Sequence, residues 1–222
     1  SYAQAYWARW ECSYDAGIAR RIQREQSPAS GSRQGQAMDR LLQRCRHLDD
    51  AETHVVRQIQ DLREGQARGD RLFSAFSGSE EHWFSLRDPN ELARAFAFLT
   101  PNEDARFVWM VSQNLARMAA GQRLSVQGRV PTRDEGRALH AAFLLAACDL
   151  NVDCGPSHRW MQVWCIQNAE CDDPSIEAYW RRLDQKPDRH PMNWPMINEY
   201  RRIITLAQRT GDWSAFRLQP VN

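Results

Sequence analysis

Lysine is almost missing from this 222-residue chain: Lys186 is the only one, and every other of its 29 basic residues is arginine. Against 28 acidic residues the net charge is +1, which excludes the broad electrostatic drive toward phosphate backbones that nucleic-acid binders rely on. Arginine suits recognition of anions and aromatic faces, but its scatter along the chain reads more simply as the codon bias of a GC-rich genome. No apolar run approaches the roughly 18 residues that a membrane span needs. Serine elbows, glycine-rich phosphate loops, dinucleotide fingerprints and H-E-x-x-H zinc motifs are all missing, so the familiar nucleotide and hydrolase chemistries have no signature. The chain begins at Ser1 without a basic-then-apolar leader, as expected where a signal peptide has been removed.

What is present is cysteine in an even number, six, at orderly spacing. That usage points to an oxidising compartment and a disulfide framework. Tyr2 to Gln26 reads as a helix, with Trp7, Trp10, Tyr14, Ile18 and Ile22 on one side and Ala5, Ala8, Cys12, Ala16 and Ala19 on the other. After the breaker run Ser27 to Ser32, a second helix carries Met38, Leu41, Cys45, Leu48, Glu52, Val55, Ile59 and Leu62 in alternating steps of three and four, the spacing of a coiled-coil seam. Folding the two helices about Gly31 sets Cys12 and Cys45 at the same height on facing surfaces, and a bridge between them is expected.

The other four follow the pattern Cys148-x5-Cys154-x10-Cys165-x5-Cys171. A helix from Ser157 to Gln167 would hold Cys154 and Cys171 roughly 18 Å or more apart at its two ends. A bridge needs Cα atoms within about 7 Å. Cys148 with Cys154 and Cys165 with Cys171 are therefore expected. No pair has the close spacing of a zinc site, so no metal and no cofactor is expected.

The remaining chain reads as capped helices. Asp88-Pro89-Asn90-Glu91 and Thr100-Pro101-Asn102-Glu103 each place a capping side chain, then proline, then a glutamate that can return a bond to the cap. The first helix carries Leu92, Ala95, Phe96 and Leu99; the second carries Phe107, Val108, Val111, Leu115 and Met118 and ends at Gly121. Arg133 to Leu150 is apolar nearly all round, as a central core helix should be. Helices are further expected after Asp173-Pro174, carrying Ile176, Tyr179, Trp180 and Leu183, and from Met196 to Gly211, with Trp213 and Phe216 pinning the tail. Leu124 to Val130 alternates like a strand but lacks an evident partner, and reads as an extended connector. The expected fold is all-α: a disulfide-stapled N-terminal hairpin over 1–66, packed on an irregular multi-helix bundle over 67–222.

Candidate chemistry is sparse. A cysteine nucleophile beside His158 or His140 is conceivable at Cys154 or Cys148, but disulfide partners account for both thiols. Paired carboxylates drawn from Glu80, Glu81, Glu91 and Glu103 would suit a cofactor-free cell-wall hydrolase, although capping explains two of them. His82, His140, His158 and His190 are too dispersed for a metal cluster. No catalytic residue is assigned, and binding is expected rather than catalysis. Nine tryptophans are many for this length. Trp160 and Trp164 share a helix face, as core packing would have it. Trp7, Trp10 and Tyr14 form the one aromatic face whose helix already has a partner on its other side, so they are the candidate contact residues for another protein.

The segment Ala147-Cys148-Asp149-Leu150-Asn151-Val152-Asp153-Cys154, with Cys165, Cys171 and the tail Thr210-Gly211-Asp212-Trp213-Ser214-Ala215-Phe216, resembles a loose group of uncharacterised exported helical proteins of proteobacteria with high-GC genomes. The likeness covers roughly the last third of the chain and includes no catalytic motif. It implies a periplasmic or cell-surface location and supplies no activity. The leading expectation is a non-catalytic binding protein of the bacterial envelope, such as an immunity protein or an inhibitor of a secreted toxin or hydrolase. A carboxylate-based cell-wall hydrolase and a helical carrier of an apolar ligand are the alternatives.

Overall fold

The computed structural model describes residues 2–29, 31–46, 60–61, 63–65, 67–69, 89–100, 103–121, 123–185 and 192–219, with the backbone alone described at 2–11, 13, 91 and 106. The protein is mostly helical, and among the described residues it has one small two-stranded sheet. Its chain divides into two compact units, each discontinuous in sequence: 1–77 with 154–176, and 78–153 with 177–222. Residues 154–176, which carry Cys154, Cys165 and Cys171, group with the N-terminal helices, whereas Cys148 belongs to the second unit.

The first unit contains α1 (Tyr2–Gln26), α2 (Arg33–Cys45) and α3 (Arg159–Asn168). α1 stops where Ser27 adopts a left-handed φ of 43° and Pro28, which has no amide hydrogen to continue the helix, follows. Ser32 then caps α2 by accepting a hydrogen bond from the Gly35 amide at 3.0 Å. Ile18, Ala19 and Ile22 of α1, Ala37, Met38 and Leu41 of α2, and Cys165 and Ile166 of α3 form one buried cluster. Cys12 and Cys45 are bridged at a Cα separation of 5.3 Å, beside buried Ala16. Cys165 and Cys171 are bridged at 4.6 Å. Cys148 and Cys154 are disulfide-bonded as well, and no cysteine is free. The rest of the expected second-helix seam, Leu48, Glu52, Val55, Ile59 and Leu62, lies outside the described residues.

The second unit is built from α4 (Pro89–Phe96), α5 (Ala105–Ala120), β1 (Leu124–Val126), α6 (Arg133–Leu150), α7 (Ile176–Asp184, whose first residue closes the other unit), α8 (Trp194–Thr210) and β2 (Phe216–Leu218). α6 is the central helix, with every residue from Leu139 to Ala147 except His140 buried. It packs against α5 on one side and α8 on another. Gly136 permits the first of these contacts, since a Cβ there would stand 2.6 Å from the Ala119 carbonyl oxygen. Thr132 and Glu135 cap α6 reciprocally: the Glu135 amide donates to Thr132 Oγ1 at 3.4 Å, and the Thr132 amide donates to Glu135 Oε2 at 2.7 Å. Glu135 is held below the ordinary carboxylate range, chiefly by that backbone bond.

Two expectations are corrected. α5 begins at Ala105, with Glu103 in a bend before it, so the Thr100 start overshoots by several residues. Leu124 to Val126 is not an unpaired connector, because it pairs antiparallel with β2, matching Leu124 to Leu218 and Val126 to Phe216. The partner lies some ninety residues away in a tail that local reading treats only as an anchor. Helical α5 and α6 flank the strand in sequence, and only the return of α8 delivers its mate.

Candidate functional site

A cleft of about 650 Å3 opens in the second unit between α4 and the chain that follows α8. That volume lies within the roughly 300–1,000 Å3 of small-molecule sites. α4 supplies the first wall through Pro89, Leu92, Ala93 and Phe96, which recur at helical spacing, and the turn beyond it adds Ala97 and Thr100. The second wall depends on how α8 ends. Gly211 takes a left-handed φ of 73° and its amide donates to the Ala207 carbonyl at 2.8 Å, a glycine cap that turns the chain back.

Past that cap a short series of hydrogen bonds fixes the tail. The Ser214 amide donates to Asp212 Oδ1 at 2.9 Å, and the Phe216 amide donates to the Trp213 carbonyl at 3.0 Å. The side-chain and backbone bonds from Ser214 hold the Asp212 carboxyl below its ordinary pKa. Pairing of β2 with β1 anchors the far side, reinforced by the Gln127 amide donating to the Ala215 carbonyl at 2.6 Å. Trp213 thereby stacks on Phe96, with ring centroids 4.2 Å apart and planes 6° from parallel. Phe216, 3% exposed, tilts against Phe96, Trp213 and Phe143 of the central helix. Offset aromatic packing of this kind is worth about 0.5–1.5 kcal/mol per pair beyond burial, so this wall is firm.

One polar side chain in this lining is anomalous. Gln208, on the last turn of α8, is only 4% exposed, and neither Oε1 nor Nε2 has a hydrogen-bond partner. A buried amide left unsatisfied costs about 1–3 kcal/mol, and native structures retain few of them. Arg217 is the lining residue that carries a charge; no carboxylate, imidazole or thiol is among the residues lining the cleft.

A smaller cavity of about 350 Å3 in the same unit is lined by Arg137, His140, Trp180, Asp184 and neighbours. Burial pushes the His140 imidazole below its ordinary pKa, against a raising bond to the Ala116 backbone and with a lowering contribution from Arg117. Asp184 in that cavity already accepts from the Met192 amide and from Trp194 Nε1, the latter at 2.9 Å, and Arg181 lies over the Trp194 ring at 3.9 Å. A third, of about 220 Å3, lies in the first unit beside the Cys165–Cys171 bridge.

The residues singled out from sequence fare unevenly. Tyr14 is 56% exposed on α1, whereas Ile18 and Ile22 from the same expected face are buried against α2 and α3. Trp7 and Trp10 lie on α1 by backbone, and their side chains lie outside the description. Glu80, Glu81, His82 and His190 also lie outside the described residues, as does the side chain of Glu91. Glu103 is half-buried, and its carbonyl accepts from Asn151 Nδ2 at 2.6 Å. His158 caps α3, accepting from the Trp160 amide at 3.2 Å, and Trp160 stacks on Trp164 at 5.3 Å. Trp213 and Phe216 were legible as tail anchors, but not as walls of a cleft. Gln208 carried no signal, since a glutamine in the last turn of an amphipathic helix ordinarily faces water.

Comparison with protein-family models, with curated proteins and with solved structures finds no match. Among the described residues no helix is long and apolar enough to cross a membrane, and no group of three His, Cys, Asp or Glu side chains converges to hold a metal ion. The disulfide-bonded cysteines are consistent with a location outside the cytoplasm.

Proposed function

We propose that the protein is a non-catalytic binding protein of the bacterial envelope, periplasmic or extracellular, whose ligand is a small and largely apolar molecule held in the cleft between α4 and the α8 tail. The observation that carries this reading is the cleft itself: about 650 Å3, walled by Phe96, Trp213 and Phe216, with Leu92 and Leu218 beside them. Binding sites of small molecules combine this size with an apolar lining and few polar groups. The lining offers no carboxylate, imidazole or thiol to act as acid or base beside its Thr100 and Ser214 hydroxyls, which favours binding over hydrolysis. Among the three expectations drawn from the sequence, the carrier of an apolar ligand gains most.

Ala93 is exposed on α4 and lines the cleft, so Ala93→Trp fills the space without disturbing the core. Naphthalene is expected to bind the parent protein, measured by ligand-observed NMR, and to lose binding in Ala93→Trp while thermal stability stays unchanged. Failure of naphthalene and related two-ring compounds to bind the parent protein would overturn the reading.

A protein partner, as for an immunity protein or inhibitor, is favoured by one separate observation, the exposure of Tyr14 on the stapled hairpin. A large aromatic at the surface of a rigid element is the usual anchor of such contacts. Its test is Tyr14→Ala, which would abolish capture of a defined secreted hydrolase by the parent protein while leaving naphthalene binding intact.

A further inference from the structure

Gln208 is the one buried polar side chain in the lining of the apolar cleft, and its carboxamide carries an acceptor and a donor that are both unspent. Resting on the cleft reading, we infer that Gln208 selects ligands bearing a cis-amide edge, a lactam or comparable heteroaromatic ring, on an otherwise apolar planar frame.

The argument is one of complementarity. Oε1 requires a donor and Nε2 requires an acceptor, side by side in one plane. A hydrocarbon satisfies neither and leaves the cost of the buried amide in place. A carboxylate accepts from Nε2 but has nothing to give Oε1. A cis-amide presents N–H and C=O on the same edge, in the spacing that two facing carboxamides use, and satisfies both at once. The planar part of such a ligand matches the aromatic wall, where Trp213 and Phe96 lie within 6° of parallel.

Both carboxamide atoms are sealed from solvent in the empty protein, so pairing with a ligand requires the Gln208 side chain to turn toward the cleft as the ligand enters. The helix end that bears it does not have to move. Gln208 sits three residues before the Gly211 cap, and the Ala207 carbonyl is already satisfied by the Gly211 amide at 2.8 Å. The backbone at this corner is therefore held by its cap, and the unspent carboxamide makes Gln208 a specificity-determining residue. Partner-free polar atoms in a wall of otherwise complete packing discriminate strongly, because a ligand lacking the matching edge leaves them unpaired.

The test uses three two-ring probes of similar size: naphthalene, 2-quinolone, and N-methyl-2-quinolone, in which the donor is removed. Affinities are compared by ligand-observed NMR for the full chain and for Gln208→Met, which keeps side-chain length but has no amide. Thermal unfolding of the variant establishes that it is folded; loss of an unsatisfied buried amide should leave it at least as stable as the parent. The expected result is that the parent binds 2-quinolone about tenfold or more tighter than its N-methyl derivative. Gln208→Met should bind the two alike and retain naphthalene, which separates hydrogen bonding from the bulk of the added methyl. Equal affinity of the parent for the two quinolones would overturn the inference while naphthalene binding left the cleft reading standing. Absence of binding by all three probes would overturn both.

Discussion

Single residues carry the main anomalies of this molecule. Asp15 is a second buried polar group, fully buried on α1 among the small residues that face α2. Unlike Gln208 it is matched: Arg159 of α3 grips it with Nε at 2.7 Å and Nη2 at 2.6 Å, and Arg44 of α2 approaches at 3.5 Å. One carboxylate therefore ties α1, α2 and α3 together. A bidentate arginine pair of this geometry is strong in enclosed surroundings, and removing one partner strands the other. Asp15→Ala is expected to destabilise the first unit by about 3 kcal/mol, measured by chemical unfolding, because it removes both bonds from Arg159, whose side chain is only 18% exposed. A change below about 0.5 kcal/mol would place the pair among surface ion pairs of little consequence. Gln208 is read as functional because its unsatisfied carboxamide stands in the lining of the cleft, whereas the unsatisfied hydroxyls of Ser112 and Thr205 do not.

At the scale of elements, the contact between α5 and α6 depends on an absent side chain. Gly136 sits against the backbone of α5, where a methyl group would meet the Ala119 oxygen at 2.6 Å, well inside van der Waals contact. Because the obstacle is backbone, it cannot rotate away, and the helices themselves must separate. Gly136→Ala should cost about 1–3 kcal/mol by thermal unfolding, even though alanine is the better helix former. A neutral or stabilising result would show that helix propensity outweighs the close approach. Arg201 illustrates the opposite device, a long side chain that joins elements. It donates from Nε to Asp149 Oδ2 at 2.6 Å and from Nη1 to Glu177 Oε2 at 2.9 Å, linking α8 to the ends of α6 and α7. Burial raises the pKa of Glu177, but the bonds from Arg181 and Arg201 together outweigh it and hold the carboxyl below its ordinary range.

At the scale of the whole molecule, the two units rest on different kinds of support. The first carries the Cys12–Cys45 bridge, which closes a loop 33 residues long. The second has its central helix sealed on nearly every face by neighbours. Loss of a bridge over such a loop typically costs about 2–4 kcal/mol. Mild reduction should therefore raise amide hydrogen exchange in α1 and α2 before α5, α6 and α8, read by mass spectrometry. Simultaneous loss of protection throughout would mean that the staples support both units equally.

The sequence by itself determined the helices and their staples. α1 and α6 are bounded where their breakers and caps stand, and the Cys12–Cys45 and Cys165–Cys171 bridges join the partners that helical geometry requires. These features are local, or involve two helices joined by one turn, so periodicity and chain length suffice to set them. Tertiary structure alone decided the rest. It paired β1 with a strand ninety residues later, placed residues 154–176 with the N-terminal helices, and committed Ile18 and Ile22 to the core while leaving Tyr14 at the surface. It also brought α4 against the α8 tail to form the cleft, and left Gln208 in the wall without a partner. Whether a glutamine is solvated or sealed depends on what returns to cover it from elsewhere in the chain, and no window of neighbouring residues contains that information.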